Sequence, residues 1–231
     1  MDKYGRKISF FDFYNGVVAL DQTAYGVEQR KNIGQLSTYL DKHSRVLDIG
    51  CGFGIPSFEL QKSFKVSACD VPTLDGRRNK FVELVMEERG IDFGWIEEGV
   101  LPFEDGSFDG ILLYAVIEHV RDKVKLLKEC HRVLKPGGHV FSYRMVNQCA
   151  FAEKLATLMG IVTHGDDVVT AQILKDSFGA ASLDICGMGY HGWLPENKLP
   201  VWPIYWANKI LCKIPLVNRY SHDFWVIAKK P

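Results

Sequence analysis

The chain has 231 residues, 47% of them hydrophobic and 24% charged, the size and make-up of one globular domain with a full core. Lys plus Arg and Asp plus Glu both number 28, so no overall basic field exists to hold a polyphosphate chain and no acidic excess keeps the chain unfolded; nucleic acid is not an expected partner. The six cysteines, Cys51, Cys69, Cys130, Cys149, Cys186 and Cys212, form no C-x-x-C pair, which argues against a zinc site or a dense disulfide framework and for a reducing cytoplasm.

Met1 to Lys7 leads into an apolar stretch that Asp12 and Asn15 interrupt, too short and polar for a signal peptide's core, and no later run reaches the length of a membrane span. Tyr25 to Leu40 has helical spacing, with Ile33, Leu36, Tyr39 and Leu40 near one face. Val46 to Ile49 is a short apolar run ending in a glycine cluster, and Pro56 to Phe64 follows as a helix with proline near its start. Lys65 to Asp70 then reads as a strand and Asp75 to Arg89 as a helix closed by Gly90. Phe93 to Ile96 is a weak strand, Phe108 to Tyr114 a strong one, and Asp122 to Leu134 a helix stopped by the breaker turn Lys135-Pro136-Gly137-Gly138. After the strand His139 to Met145, a helix to about Met159 and a polar segment are expected, then strands at Ser182 to Met188 and Asp223 to Ala228. This alternation predicts an α/β fold, a mostly parallel seven-stranded sheet with helices on both faces.

The turn Asp48-Ile49-Gly50-Cys51-Gly52-Phe53-Gly54 ends the first strand, where ligands collect in an open parallel sheet. Glycines at 50, 52 and 54 let a ligand approach the backbone, and the helix near Pro56 turns its free amides toward it. Asp48 is unhelpful beside a pyrophosphate but suits an ammonium group, held directly or through water. The dinucleotide fingerprint G-x-G-x-x-G, counted from Gly50, would put its last glycine at Ile55, whereas the third glycine is Gly54. Asp70, with Val71 after it, is placed to accept hydrogen bonds from ribose hydroxyls, which implies a nucleoside without choosing which. A tight strand-to-helix connection with no ligand is the structural alternative.

The chain resembles the class I S-adenosylmethionine-dependent methyltransferases, and within them the subgroup of quinone-biosynthesis and small-molecule enzymes. The resemblance rests on Val46 to Gly54, Asp70, Leu101-Pro102-Phe103-Glu104-Asp105-Gly106-Ser107-Phe108-Asp109, Ile117-Glu118-His119-Val120 and Arg132-Val133-Leu134-Lys135-Pro136-Gly137-Gly138. It implies a Rossmann-like fold and S-adenosyl-L-methionine as cofactor, with S-adenosyl-L-homocysteine as product. It also implies cofactor contacts from Asp48, Gly50, Cys51, Gly52, Gly54, Asp70 and Val71, an adenine contact from Glu97 with Glu98 following, and a methionine-side wall at Tyr114-Ala115-Val116. The whole chain, 1–231, is then one domain: cap helices at 1–44, with Tyr14, Tyr25 and Arg30 over the cofactor, a cofactor-binding core at 45–145, and a substrate-side half at 146–231. Some quinone O-methyltransferases of this family bind a divalent metal through a Glu three residues before the Glu-His pair; here that position is Ala115, and no metal is expected.

Methyl transfer from a sulfonium is an in-line displacement, so alignment and exclusion of water can supply most of the catalysis. Where the nucleophile carries a proton, His119 is the candidate base, against the plainer reading that it hydrogen-bonds the loop. His164 and His191 are further candidates with the same alternative. Between the last two strands, Trp193 to Tyr220 looks inserted and is the expected substrate wall. Its apolar circumference, with Lys209 and Lys213 on one side, fits a lid, a homodimer contact, or a peripheral membrane-interface helix serving a lipid-like rather than a small soluble acceptor. A non-catalytic cofactor-binding partner subunit and a nicotinamide-dependent reductase remain the alternatives, the second disfavoured by the glycine spacing.

Overall fold

The computed structural model describes residues 24–151, 168–192 and 217–231, together with 154, 206 and 210–214. Tyr14, His164, Trp193, Trp202, Tyr205, Lys209 and most of the expected helix to Met159 lie outside the described residues, as does the side chain of Tyr25.

Seven strands form one sheet: β1 (Arg45–Ile49), β2 (Lys65–Asp70), β3 (Asp92–Trp95), β4 (Phe108–Tyr114), β5 (Leu134–Val146), β6 (Asp184–His191) and β7 (Asp223–Lys229), in the order β3-β2-β1-β4-β5-β7-β6. The pairings among β1 to β5 are parallel, and β7 runs antiparallel to both neighbours. The helices are α1 (Ala24–Gln35), α2 (Ile55–Leu60), α3 (Gly76–Glu88), α4 (Lys123–Val133) and α5 (Ala171–Ala180). The strand order reverses between β1 and β4, which opens a crevice at the carboxyl ends of the strands.

Successive side chains of a strand point to opposite faces, and two apolar layers divide along that alternation. Leu47, Ile49, Ile111 and Leu113 face α4 and α5 through Leu127, Cys130, Leu174 and Phe178. Val46, Leu112, Phe141 and Ile227 face α1 through Ile33 and the turn after it through Leu36. A smaller cluster packs Val82 and Met86 of α3 on Ala68, Cys51 and Ile91.

α2 stops at Leu60 rather than Phe64, β6 spans Asp184–His191 rather than Ser182 to Met188, and three further elements differ from expectation. The first helix gives way after Gln35 to a single 3-10 turn, Leu36–Thr38. β5 begins at Leu134 because the breaker turn is accommodated inside it: Phe108 pairs with Leu134 and Gly110 with His139, so the extra residues bulge out of register. α5 occupies the region expected to be merely polar. It is capped by Thr170, whose side chain accepts from the Ile173 N–H, and buries Leu174, Ser177 and Phe178.

Candidate functional site

The glycine turn is shaped by packing at two of its glycines and by open space at the third. Gly50, Gly52 and Gly54 all adopt left-handed backbone, with φ of 70°, 57° and 83°. A Cβ on Gly50 would stand 2.7 Å from Val116 Cγ2, and one on Gly54 2.7 Å from Met86 Cε. A Cβ on Gly52 would meet nothing within 4 Å. Gly52 is therefore the position at which a ligand can approach the chain, while Gly50 and Gly54 let β1, α3 and the segment after β4 close together. The helix that follows is only six residues long, so few peptide dipoles add up there.

A cavity of about 570 Å³ opens over this turn, within the range of small-molecule and cofactor sites. Gly50, Gly52, Asp70, Val71 and His119 line it, joined by Arg78, Ile96, Gly99, Ala115, Val116, Val120, Asp122, Lys125 and Leu126. Asp70 Oδ1 accepts the Val71 N–H at 2.7 Å, and Oδ2 accepts the Gly52 N–H at 3.1 Å. Arg78 Nη2 also lies 3.1 Å from Oδ2. The glycine turn and the acid at the end of β2 are thus one hydrogen-bonded unit.

The other expected cofactor contacts lie away from the cavity surface. Asp48 is buried beneath the turn, where its Oδ2 accepts the Ser57 hydroxyl at 2.5 Å. Burial pushes its carboxyl up to about 7, with the nearby Asp70 charge adding to the rise and the Ser57 hydrogen bond opposing it. Cys51 is buried against α3, and burial raises its thiol well above the usual range. Glu97 and Glu98 are exposed on a tight turn closed by Val100 N–H to Glu97 O at 2.8 Å, and Glu98 is left-handed at φ 52°. Their neighbours Ile96 and Gly99 reach the cavity instead. Tyr114 packs in the layer under α1, near Tyr143. His119 ends the 3-10 turn Ile117–His119 and is exposed at the cavity rim.

Two of the recognisable sequence blocks act as staples. Arg132 of α4 donates to Phe103 O at 2.8 Å and Leu101 O at 3.0 Å, and pairs with Asp105 and Glu129. Asp109 accepts from the Arg45 N–H at 2.8 Å and from Lys135 Nζ at 2.7 Å, tying β4 to the starts of β1 and β5. Arg78, Asp122 and Lys125 had no motif to announce them; the available signals were the helix-capping residues Asp75 and Asp122, which mark where the first turns of α3 and α4 face the crevice.

Farther along the same sheet edge lies a buried ionic cluster. Arg144, left-handed at φ 63° where the β5–β7 register shifts, pairs with Asp223 at 3.1 Å, and Asp223 also contacts His222 Nδ1 at 2.7 Å. Burial alone would raise the Asp223 carboxyl, but Arg144 and His222 outweigh it and hold it low. Glu118, beside them, is pushed up to about 7 by burial, and its Oε2 finds no hydrogen-bond partner among the described residues. His191 Nε2 meets Glu28 of α1 at 3.1 Å. Among the described residues no group of three or more His, Cys, Asp or Glu is arranged to hold a metal ion.

A family profile described as a methyltransferase domain matches residues 47–142. A norajmaline N-methyltransferase of Rauvolfia serpentina is 33% identical over 120 residues, 49% of this chain and 41% of the relative. A ubiquinone biosynthesis O-methyltransferase of Xanthomonas axonopodis pv. citri is 31% identical over 173 residues, 68% of this chain and 70% of the relative. Several other curated relatives are matched over less than half their length. Among solved structures, a SAM-dependent methyltransferase from Thermotoga maritima shares the fold with a TM-score of 0.64 at 16% identity, over 95% of this chain and 97% of that one. These matches, with the relative from Xanthomonas axonopodis covered over 70% of its length at 31% identity, show that the chain belongs to the S-adenosylmethionine-dependent methyltransferases.

Proposed function

We propose that this chain transfers a methyl group from S-adenosylmethionine to a small-molecule acceptor. The observation that carries the reading is the unit at the cavity floor: Asp70 held by the Gly52 N–H, beside a glycine whose missing side chain leaves open space. The bound cofactor supplies an electrophilic methyl on a sulfonium. The chain's own residues bind and orient: Asp70 accepts a sugar hydroxyl, Val71, Ile96 and Leu126 give apolar walls for a flat base, and the Gly50–Gly52 backbone admits the amino-acid end. Asp48 adds negative potential under that end. Alignment and exclusion of water then carry most of the rate.

His119, at the rim, takes the proton of an acceptor hydroxyl or acidic carbon. One relative's name specifies nitrogen and another's oxygen as the methylated atom, so the acceptor atom follows from the product. Calorimetric titration with S-adenosylhomocysteine and with NADH tests the cofactor: binding of NADH alone refutes the reading. Radiolabelled methyl transfer into a cell extract, with identification of the labelled compound, tests turnover. Cofactor binding with no labelled product from any extract makes the chain a non-catalytic partner subunit instead.

A lipid-like acceptor is a second reading, favoured by one observation. Trp206, Ile210 and Ile214 follow one another at four-residue spacing and expose 49%, 58% and 42% of their surface. No helix among the described residues is long and apolar enough to cross a membrane, so contact would be peripheral, in the cytoplasm, where the described cysteines stay free. Wild-type protein that ignores liposomes, or Trp206→Ala that binds them equally well, removes this reading.

A further inference from the structure

Arg78 has no role in the proposed function above, yet it is fixed against the residue at its centre. It stands in the first turn of α3, where the N-cap Asp75 accepts the backbone N–H of Arg77 at 3.0 Å and of Arg78 at 3.4 Å, setting where the side chain leaves the helix. Its guanidinium lies 3.1 Å from Asp70 Oδ2 and 5.6 Å from the Phe53 ring centroid. Nη1 is buried and has no hydrogen-bond partner among the described residues. A buried donor with no acceptor is costly unless something supplies one.

Hydrogen-bond capacity shows what would supply it. A carboxylate offers about four lone-pair sites. On Asp70 the Val71 N–H, the Gly52 N–H and Arg78 Nη2 already take three partners' worth. Roughly one site is left for a sugar hydroxyl, while a ribose brings two hydroxyls, each able to donate once and accept as well. The second need is for a donor, and Arg78, which lines the cavity, carries the unsatisfied one. The guanidinium is planar and forked, and Nη1, shielded beside the cavity, reaches a ribose oxygen by a small turn of the fork about its bond to Asp70.

We infer that Arg78 is a second sugar-binding residue: while Asp70 accepts a ribose hydroxyl proton, Nη1 of Arg78 donates to a ribose oxygen, so that the vicinal diol is read by one acceptor and one donor. This rests on the S-adenosylmethionine reading.

Calorimetry on the full chain tests it with S-adenosylhomocysteine and its 2′-deoxy and 3′-deoxy analogues, against wild type, Arg78→Met and Arg78→Lys, each checked for a cooperative thermal transition. At least one deoxy analogue should bind wild type about tenfold more weakly than the parent, the size of one lost charged hydrogen bond. Arg78→Met should bind the parent about tenfold more weakly and distinguish one of the two analogues, the one lacking the hydroxyl that Arg78 reads, by about threefold or less. Arg78→Lys keeps a charge beside Asp70 without the fork, and should lose the discrimination too; it decides the matter if the Met variant does not fold. Wild-type affinity in the variants overturns the inference. So does weakened affinity with undiminished discrimination, since Arg78 would then act only through Asp70. Absence of S-adenosylhomocysteine binding by wild type is a different result: it overturns the methyltransferase reading and this inference with it.

Discussion

The carboxyl edge of the sheet carries two groups of polar side chains, built in opposite ways. Around β1, β2 and β4 the cavity is open, its polar groups few, and its key carboxylate held by backbone amides only 1 and 18 positions away in sequence. At the ends of β5, β6 and β7 the charges are largely buried and, apart from Glu118, paired with one another; Glu28, Glu118, Arg144, His191, His222 and Asp223 come from five separate stretches of chain. The first group is shaped to receive a ligand. The second is an ionic knot that ties the edge strands and α1 together, with Asp223, which contacts both Arg144 and His222, at its centre.

Substitutions can break that contrast, and the largest effect should come from the knot. Asp223→Asn removes the buried carboxylate that pairs with both Arg144 and His222 and should cost about 3 to 5 kcal/mol of stability, measured by denaturant unfolding, while S-adenosylhomocysteine affinity in the folded fraction stays unchanged. A loss of affinity instead would join the two regions into one site. Gly54→Ala should follow at about 2 to 4 kcal/mol, from overpacking against Met86 and Phe58 and a left-handed Cβ. Gly52→Ala, with the same backbone strain and no clash, should cost about 1 kcal/mol of stability but impair cofactor binding. Equal stability losses at the two glycines would erase the distinction between a packing glycine and a ligand-facing one. Asp70→Ala should weaken cofactor binding by about 1.5 to 3 kcal/mol.

The same contrast explains what the sequence disclosed. The strands β2 and β4 are legible to the residue: β4 centres on the apolar run Ile111-Leu112-Leu113, and β2 sets Val66, Ala68 and Cys69 between polar ends at Lys65 and Asp70. The turn at Gly50, Gly52 and Gly54 is legible because three left-handed positions at fixed spacing demand glycine. Its division of labour is not: only the folded chain brings Val116 and Met86 against Gly50 and Gly54. Arg78 is invisible in sequence because its meaning depends on the direction in which α3 leaves its cap. α5 is within reach of the sequence, since Ile173, Leu174 and Phe178 recur at helical spacing behind the capping residue Thr170, but the polar run His164-Gly165-Asp166-Asp167 before it masks that pattern. The knot escaped for the plainest reason, since pairs such as Glu28 with His191 and Arg144 with Asp223 join residues that no local pattern connects.

The smallest effect belongs to Asp48, and it is a dependence on pH. In the unfolded chain its carboxyl ionises near 3.8, whereas burial raises it to about 7 in the fold. The folded state therefore binds more protons than the unfolded one between those values, so the cost of keeping Asp48 buried grows as pH rises through that window and levels off above about 7. Asn at this position can still accept the Ser57 hydroxyl but does not titrate. The stability of wild type relative to Asp48→Asn should thus fall by about 1 kcal/mol between pH 6 and pH 8, read from paired urea curves at each pH. Taking the difference removes the titration of other groups, such as His131 and His139, which burial and a neighbouring lysine hold low in both proteins. Saturating S-adenosylhomocysteine should flatten the slope, because an ammonium group over the glycine turn favours the ionised carboxylate beneath it. A slope that survives saturation would move the ammonium group away from Asp48 and leave that carboxyl as a purely internal partner of Ser57.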